Sequence, residues 1–174
     1  LDNVSETGAE PEMEVVDLLD VARECVESQK LNARRAYISL TYLGESAPVR
    51  GSRSLLDELC QNLCDNAIRY NRPGGKVQLI TACRRDGHCT LTVKDNGIGM
   101  SPEFQQHVFD SFAREQTATR SGIQGTGLGM AITKNIVDMM GGTISVESEE
   151  GKGTEYTVSI PFQVLASSAR YEII

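Results

Sequence analysis

The sequence lacks any long apolar run. None approaches the roughly 18 residues that a membrane-crossing helix needs, and the chain does not open on the basic and then apolar layout of a secretory signal. Positive charge is also short. With 17 Lys and Arg against 24 Asp and Glu, the net charge of -7 argues against a protein that coats nucleic acid or an anionic membrane. A phosphate ligand would have to be held by local groups. The five cysteines (Cys25, Cys60, Cys64, Cys83, Cys89) are odd in number and contain no C-x-x-C pair, which points to reduced thiols in a cytoplasmic protein. Cys60 and Cys64 share a helix face and would supply half of a metal site. With only two histidines in the chain, they read instead as small buried hydrophobes.

What is present is one domain's worth of chain: 174 residues with 40% hydrophobic content, enough to bury a core. Residues 1–12 are polar and read as a tail or linker remnant, residues 13–162 as the folded domain, and 163–174 as a C-terminal extension. A strand over 13–16 leads into a helix to about Ala33, and a β-branched and aromatic run predicts a strand over 37–43, with a brief one near Val49. The apolar stripe Leu56, Leu59, Leu63, Ala67 predicts a helix over 52–70. Strands over 76–83 and 89–94 meet at Asp86-Gly87, a hairpin dipeptide. A short helix over 102–112, a polar loop over 113–126, a helix over 128–140 ended by Gly141-Gly142, and a hairpin over 143–161 complete the layout. The order of elements gives an α+β fold: a two-layer sandwich with a mixed, mostly antiparallel sheet of about five strands and three main helices on one face.

Two glycine clusters stand apart from this layout: Asp95-Asn96-Gly97-Ile98-Gly99 at a strand end, and Gly125-Thr126-Gly127-Leu128-Gly129 opening a helix. Neither is a dinucleotide fingerprint, because Met130 stands where the third glycine belongs, and no Gly-Lys-Ser/Thr closes a P-loop. The second cluster nevertheless has what an anion cradle needs: backbone that can approach closely and unpaired first-turn amides. A hinge and a plain helix start explain it equally well on its own. On the 52–70 helix, Glu58, Asn62, Asn66 and Arg69 fall at spacings of four, four and three, a polar stripe ending beside Tyr70. Amide oxygens suit Mg²⁺ and a guanidinium suits phosphate, although such a stripe is commonly just a solvated face. Asp95, placed at a sheet end among glycines, is suited to accept a hydrogen bond from an exocyclic amine such as that of adenine; an ordinary Asp-Asn-Gly turn is the plain alternative.

Taken in order, these segments resemble the four boxes of the histidine kinase catalytic domain, within the superfamily that also holds gyrase, the heat-shock chaperone ATPases and the mismatch-repair ATPases. Asn62 to Tyr70 resembles the N box, Asp95 to Gly99 the first glycine box, Val108-Phe109-Asp110-Ser111-Phe112 the F box, and Gly125 to Gly129 the second glycine box. The similarity spans about residues 13–162, and the wording around Arg114-Glu115 and from Gly125 through Gly142 is closest to hybrid sensor kinases. The resemblance implies a Bergerat-type sandwich that binds ATP and Mg²⁺. Asn66 would ligate the metal, Asn62 and Arg69 would support the phosphates, Tyr70 would lie against the nucleotide, and Asp95 would read the adenine amine. Gly97 and Gly99 would shape the base pocket, Arg114 and Arg120 would belong to a lid, and Gly125, Thr126, Gly127, Leu128 and Gly129 would form its hinge and anion cradle.

Hydrolysing relatives carry a Glu four residues before the metal-binding Asn; here that residue is Asn62, which cannot act as a base. The resemblance therefore implies a kinase rather than an ATP-hydrolysing switch or a nucleotide sensor without catalysis. No residue of this chain is assigned as catalytic. Neither His88 nor His107 is followed by the acidic residue and proline of a phosphoacceptor. The expected partners are a separate phosphoacceptor and dimerisation domain and a downstream response regulator, with no nucleic acid or membrane contact. The isolated domain is expected to be a cytoplasmic monomer, part of a membrane-anchored sensor kinase in a two-component system.

Overall fold

The computed structural model describes residues 12–110 and 129–162. Strand β1 (Glu14–Asp17) runs into helix α1 (Leu18–Arg35), followed by β2 (Ser39–Gly44), β3 (Pro48–Gly51) and helix α2 (Arg53–Arg69). The hairpin of β4 (Lys76–Cys83) and β5 (His88–Asp95) comes next, then a single helical turn α3 (Pro102–Gln105), helix α4 (Gly129–Met139), and the hairpin of β6 (Thr143–Glu149) and β7 (Gly153–Pro161). Five strands form one sheet in the order β2-β4-β5-β7-β6. Only β2 and β4 are parallel; the other pairs are antiparallel. This is the α+β sandwich expected from the element order. The short strands β1 and β3 do not join that sheet but form a separate antiparallel ribbon.

Helix α1 starts where Asp17 caps it. The carboxylate accepts from Leu19 N at 3.0 Å and reaches across to Ala47 N at 2.7 Å and Ser46 Oγ at 2.6 Å, tying the helix start to the loop before β3. Burial works against ionisation of Asp17, but these three bonds and the nearby Arg23 outweigh it and hold the carboxyl below its usual range. Helix α2 is capped by Ser52, whose Oγ accepts from Leu55 N at 3.3 Å. Its Leu56, Leu59 and Leu63 are completely buried and meet the inward residues of the sheet, Leu79, Leu91, Val93, Val158 and Ile160. Truncating any one of these leucines to alanine would cost about 2–5 kcal/mol. The apolar side of α2 is thereby locked, which fixes where its adjacent polar stripe can point.

Two expectations need correction. Cys83 and Cys89 face each other across β4 and β5 and are joined by a disulfide; the reading of all five cysteines as reduced fails because register, invisible to residue spacing, sets two side chains directly opposite. Cys25, Cys60 and Cys64 are free and lie in the core where α1 meets α2. The helix expected over 102–112 stops at Gln105, and tight turns carry the chain on to Phe109. None of the α3 residues is fully buried and Phe104 alone of them packs against the core, little support for a longer helix, and Gln105 spends its side chain on the backbone of Ser148. Among the described residues, no helix is long and apolar enough to cross a membrane.

Candidate functional site

The end of β5 carries the most unusual acid among the described residues. Asp95 is the last residue of the strand, paired with Val77 on one side and Thr154 on the other. Its Oδ1 accepts from Gly97 N at 2.8 Å and from Thr154 N at 3.3 Å. Burial dominates these two bonds and pushes the carboxyl up to about 6. An acid kept in such surroundings is costly to ionise and gains from any donor that enters beside it.

The loop after Asp95 is built against the end of α2. A side chain at Gly97 would stand 2.3 Å from the Tyr70 carbonyl oxygen, and Ile98 N donates to that same oxygen at 3.0 Å. Gly99 has φ +72°, and a side chain there would meet the Glu149 carbonyl oxygen at 2.0 Å. The absent Cβ atoms thus make room for the protein's own backbone, and the loop is held rather than loose. Arg72 reinforces it by donating to the carbonyls of Gly97 at 2.8 Å and Gly151 at 3.2 Å. On the β6 side, Ser148 Oγ accepts from Met100 N at 2.8 Å.

The polar stripe of α2 faces this end of the sheet. Asn62 and Asn66 are half-buried, as is Tyr70, the residue that caps the helix. Asp95, Asn66 and Tyr70 lie close enough to the buried phenol of Tyr156 on β7 to act on it electrostatically. Burial, then the Asp95 charge, pushes the phenol well above its usual range. Arg69 is exposed and pairs with Asp65 one turn back at 3.0 Å. The fold thus gathers Asn66, Tyr70, Asp95, Gly97 and Gly99 at one end of the sheet under α2, with Asn62 one turn further back and Arg69 turned toward solvent.

Gly129 opens α4. Arg114, Arg120, Gly125, Thr126, Gly127 and Leu128 lie outside the described residues, as do Ser111 and Phe112 of the F box. Sequence reasoning missed Tyr156, Thr154 and Arg72. A signal for Tyr156 existed: inward positions of β7 read Tyr156, Val158, Ile160, and a hydroxyl-bearing ring in such a series needs a buried partner.

A family model described as Histidine kinase-, DNA gyrase B-, and HSP90-like ATPase matches residues 51–164, more than half of the chain. The chain belongs to this family. Among curated proteins, it is 43% identical over 106 residues to the sensor protein SrrB of Staphylococcus aureus, a match covering 61% of this chain and 18% of SrrB. The chain therefore spans less than a fifth of the length of that relative. A mycobacterial sensor histidine kinase, MprB, superposes with a TM-score of 0.75 at 28% identity, covering 88% of this chain and 100% of that one. The catalytic domain of histidine kinase ThkA shares the fold, with a TM-score of 0.75 at 24% identity over 87% of this chain and 98% of that one. Full-length ShkA in complex with AMPPNP superposes with a TM-score of 0.79 at 25% identity, over 93% of this chain and 34% of that one. This is a histidine kinase-type ATPase domain of the kind found in sensor kinases.

Proposed function

We propose that this domain binds Mg-ATP at the α2 end of the sheet and donates the γ-phosphoryl group to a histidine on a separate helical domain of the same sensor kinase. The observation that carries the reading is Asp95: a mostly buried carboxylate at a strand end, gripped by two backbone amides, is suited to take the exocyclic amine of adenine and to reject a carbonyl in its place. Tyr70 flanks the base, while Asn62, Asn66 and Arg69 serve the phosphate end. In the same reading, the backbone amides and lid of the 114–129 segment complete the phosphate cradle, with Arg114, Gly125, Thr126, Gly127, Leu128 and Gly129 in the roles that the resemblance implies. Residues 13–162 are the working domain, flanked by a linker remnant and an extension.

The donor set fits magnesium in a particular way. No group of three or more His, Cys, Asp or Glu residues able to hold a metal is found among the described residues. Asn66 instead offers one hard amide oxygen, and such a site takes its remaining ligands from phosphate and water. When bound, the ion neutralises charge on the phosphates. The protein's own contribution is positioning: Asp95 sets the base, α2 sets the phosphate end, and the loop rigidified by Gly97, Gly99 and Arg72 holds the two in fixed relation. In the transfer, the bond between the γ-phosphorus and its bridging oxygen breaks as a bond to the imidazole nitrogen forms, leaving ADP. The imidazole proton goes to a group beside the acceptor. Asn62 has no basicity with which to activate water, which favours transfer over hydrolysis.

Dimerisation through the acceptor domain, a response regulator downstream, and a cytosolic location beneath a membrane anchor complete this proposal. It is tested by mixing the chain with Mg-ATP and a matched acceptor domain. An acid-labile phosphate on the acceptor is the expected result. Rapid steady-state hydrolysis with no phosphorylated acceptor would favour an ATP-driven switch instead.

A further inference from the structure

The five-stranded sheet ends in two edge strands, β2 and β6, and the chain treats them differently. An edge with free N–H and C=O groups is a template for another chain, so proteins guard it with charge, proline, a bulge or a cover. β6 is guarded. It carries Glu147 and Glu149, and Gln105 lays its side-chain amide along Ser148 as a neighbouring strand would, accepting from the backbone N–H at 2.9 Å and donating to the C=O at 3.2 Å. β2 has no charged residue and no proline, and all its residues but Leu40 are exposed. Ser39 N donates to Gly75 O at 2.9 Å and Glu45 N to Thr81 O at 3.1 Å, both toward β4. By alternation the backbone groups of Leu40, Tyr42 and Gly44 point the other way, where no described strand lies.

The turn that leads into this edge is irregular too. Tyr37 N donates to Arg34 O at 3.0 Å and Ile38 N to Ala33 O at 2.8 Å, closing α1 in a motif whose left-handed position glycine usually fills. Here that position is Tyr37, with φ 61°, the one non-glycine residue of positive φ among the described residues. Its ring is 74% exposed. The side chain strains the backbone and recovers no burial for it, a pattern that points to a contact outside the chain. Tyr42 and Leu43 on β2 are exposed as well.

Charge narrows the choice of partner. Exposed Arg34 and Arg35 close α1 just ahead of β2, a basic spot on a chain of net charge -7, and such a spot suits an acidic partner. The chain's own Glu45, at the far end of the strand, already accepts from Cys83 N at 2.9 Å, which disfavours a second copy as the source of the acid. We propose that the free edge of β2 docks an extended segment of a partner protein, which adds a strand to the sheet, covers Tyr37 and places acidic residues against Arg34 and Arg35. The proposal is independent of how the nucleotide is held.

The test titrates the full chain with a synthetic peptide of about eight residues, blocked at both ends, alternating Val and Thr and finishing in two Glu. Strand addition takes its affinity from main-chain hydrogen bonds, so a generic sequence is a fair probe. Hydrogen exchange read by NMR should show the Leu40, Tyr42 and Gly44 amides slowed about tenfold or more at saturation, with β6 amides unchanged. Exchanging the two Glu for Lys should weaken binding at least about tenfold at low salt, and a chain carrying Arg34→Glu and Arg35→Glu should reverse that preference. Tyr37→Gly should raise the thermal midpoint by relieving strain, yet weaken the peptide. Unslowed β2 amides at millimolar peptide would overturn the docking edge. Equal affinity for the Glu and Lys peptides would overturn the acidic partner, and unaltered peptide affinity in Tyr37→Gly would overturn the part given to the ring. If the same amides slow in the peptide-free chain as its concentration rises, with a dimer in sedimentation, the edge belongs to a second copy and the proposed partner is overturned.

Discussion

The raised carboxyl of Asp95 makes nucleotide affinity depend on pH in a way that can be worked out beforehand. In the free protein, burial places its midpoint at about 6. An amine that donates to the ionised carboxylate binds only that form, so acid reduces affinity by the factor 1 + 10^(6 − pH). This is negligible at pH 7.5, about twofold at pH 6 and about elevenfold at pH 5. Phosphate groups titrate in the same range, so the comparison must be made against Asp95→Asn, in which the ligand's own titration is retained and the carboxyl's is gone. At pH 7.5, wild type should bind ATP more tightly than the variant by on the order of 1–3 kcal/mol, and that advantage should shrink about tenfold toward pH 5. Calorimetry at several pH values measures both. A ratio that stays constant from pH 5 to 7.5 would refute the contact between Asp95 and the base. The same displacement has a stability consequence. A carboxyl raised in the folded state contributes stability that is fully present below its unfolded value near 4 and is lost as pH rises through about 6. Asp95→Asn, which keeps an oxygen for Gly97 N and Thr154 N, should therefore stabilise the ligand-free protein at pH 7.5 by up to about 3 kcal/mol. The group that recognises the base costs the fold stability, a pattern expected where function sets the residue.

Three other perturbations probe the frame around the site. Gly99→Ala forces a side chain into the left-handed region and against the Glu149 carbonyl, so it should lower the chemical-denaturation midpoint by roughly 1–3 kcal/mol of stability and weaken ATP together. Reducing the Cys83–Cys89 disulfide, which closes a sequence separation of only 6 residues, should lower the thermal midpoint by an amount equivalent to about 2 kcal/mol on the chain-entropy model; an unchanged midpoint under reductant would show that the bond contributes nothing. Asp17→Ala should cost about 1–2 kcal/mol by removing the cap of α1 and its ties to Ser46 and Ala47. Because the Asp17 carboxyl is held below its usual range, that contribution is present above pH about 4 and fades as pH falls. Acid denaturation of wild type and variant should therefore converge at low pH.

Much of this was legible in the linear chain because it depends on local repetition. The stripe Leu56, Leu59, Leu63 determined which side of α2 is buried, and with it the side on which Asn62 and Asn66 stand. Alternation in β4 and β5 and the Asp86-Gly87 turn determined a hairpin, and Asp95 followed from its end. The motif order alone was enough to identify the family, since those residue types recur at spacings set by one helix and two loops. Tertiary structure decided everything that depends on which residues lie opposite each other. Cys83 meets Cys89, Thr154 reaches Asp95, and Arg72 spans to Gly97 and Gly151 only because strand register and loop packing bring together positions whose separations along the chain carry no period. Even the glycines changed meaning: composition shows where a side chain is missing, but only the packed backbone shows that the vacated space belongs to the carbonyls of Tyr70 and Glu149.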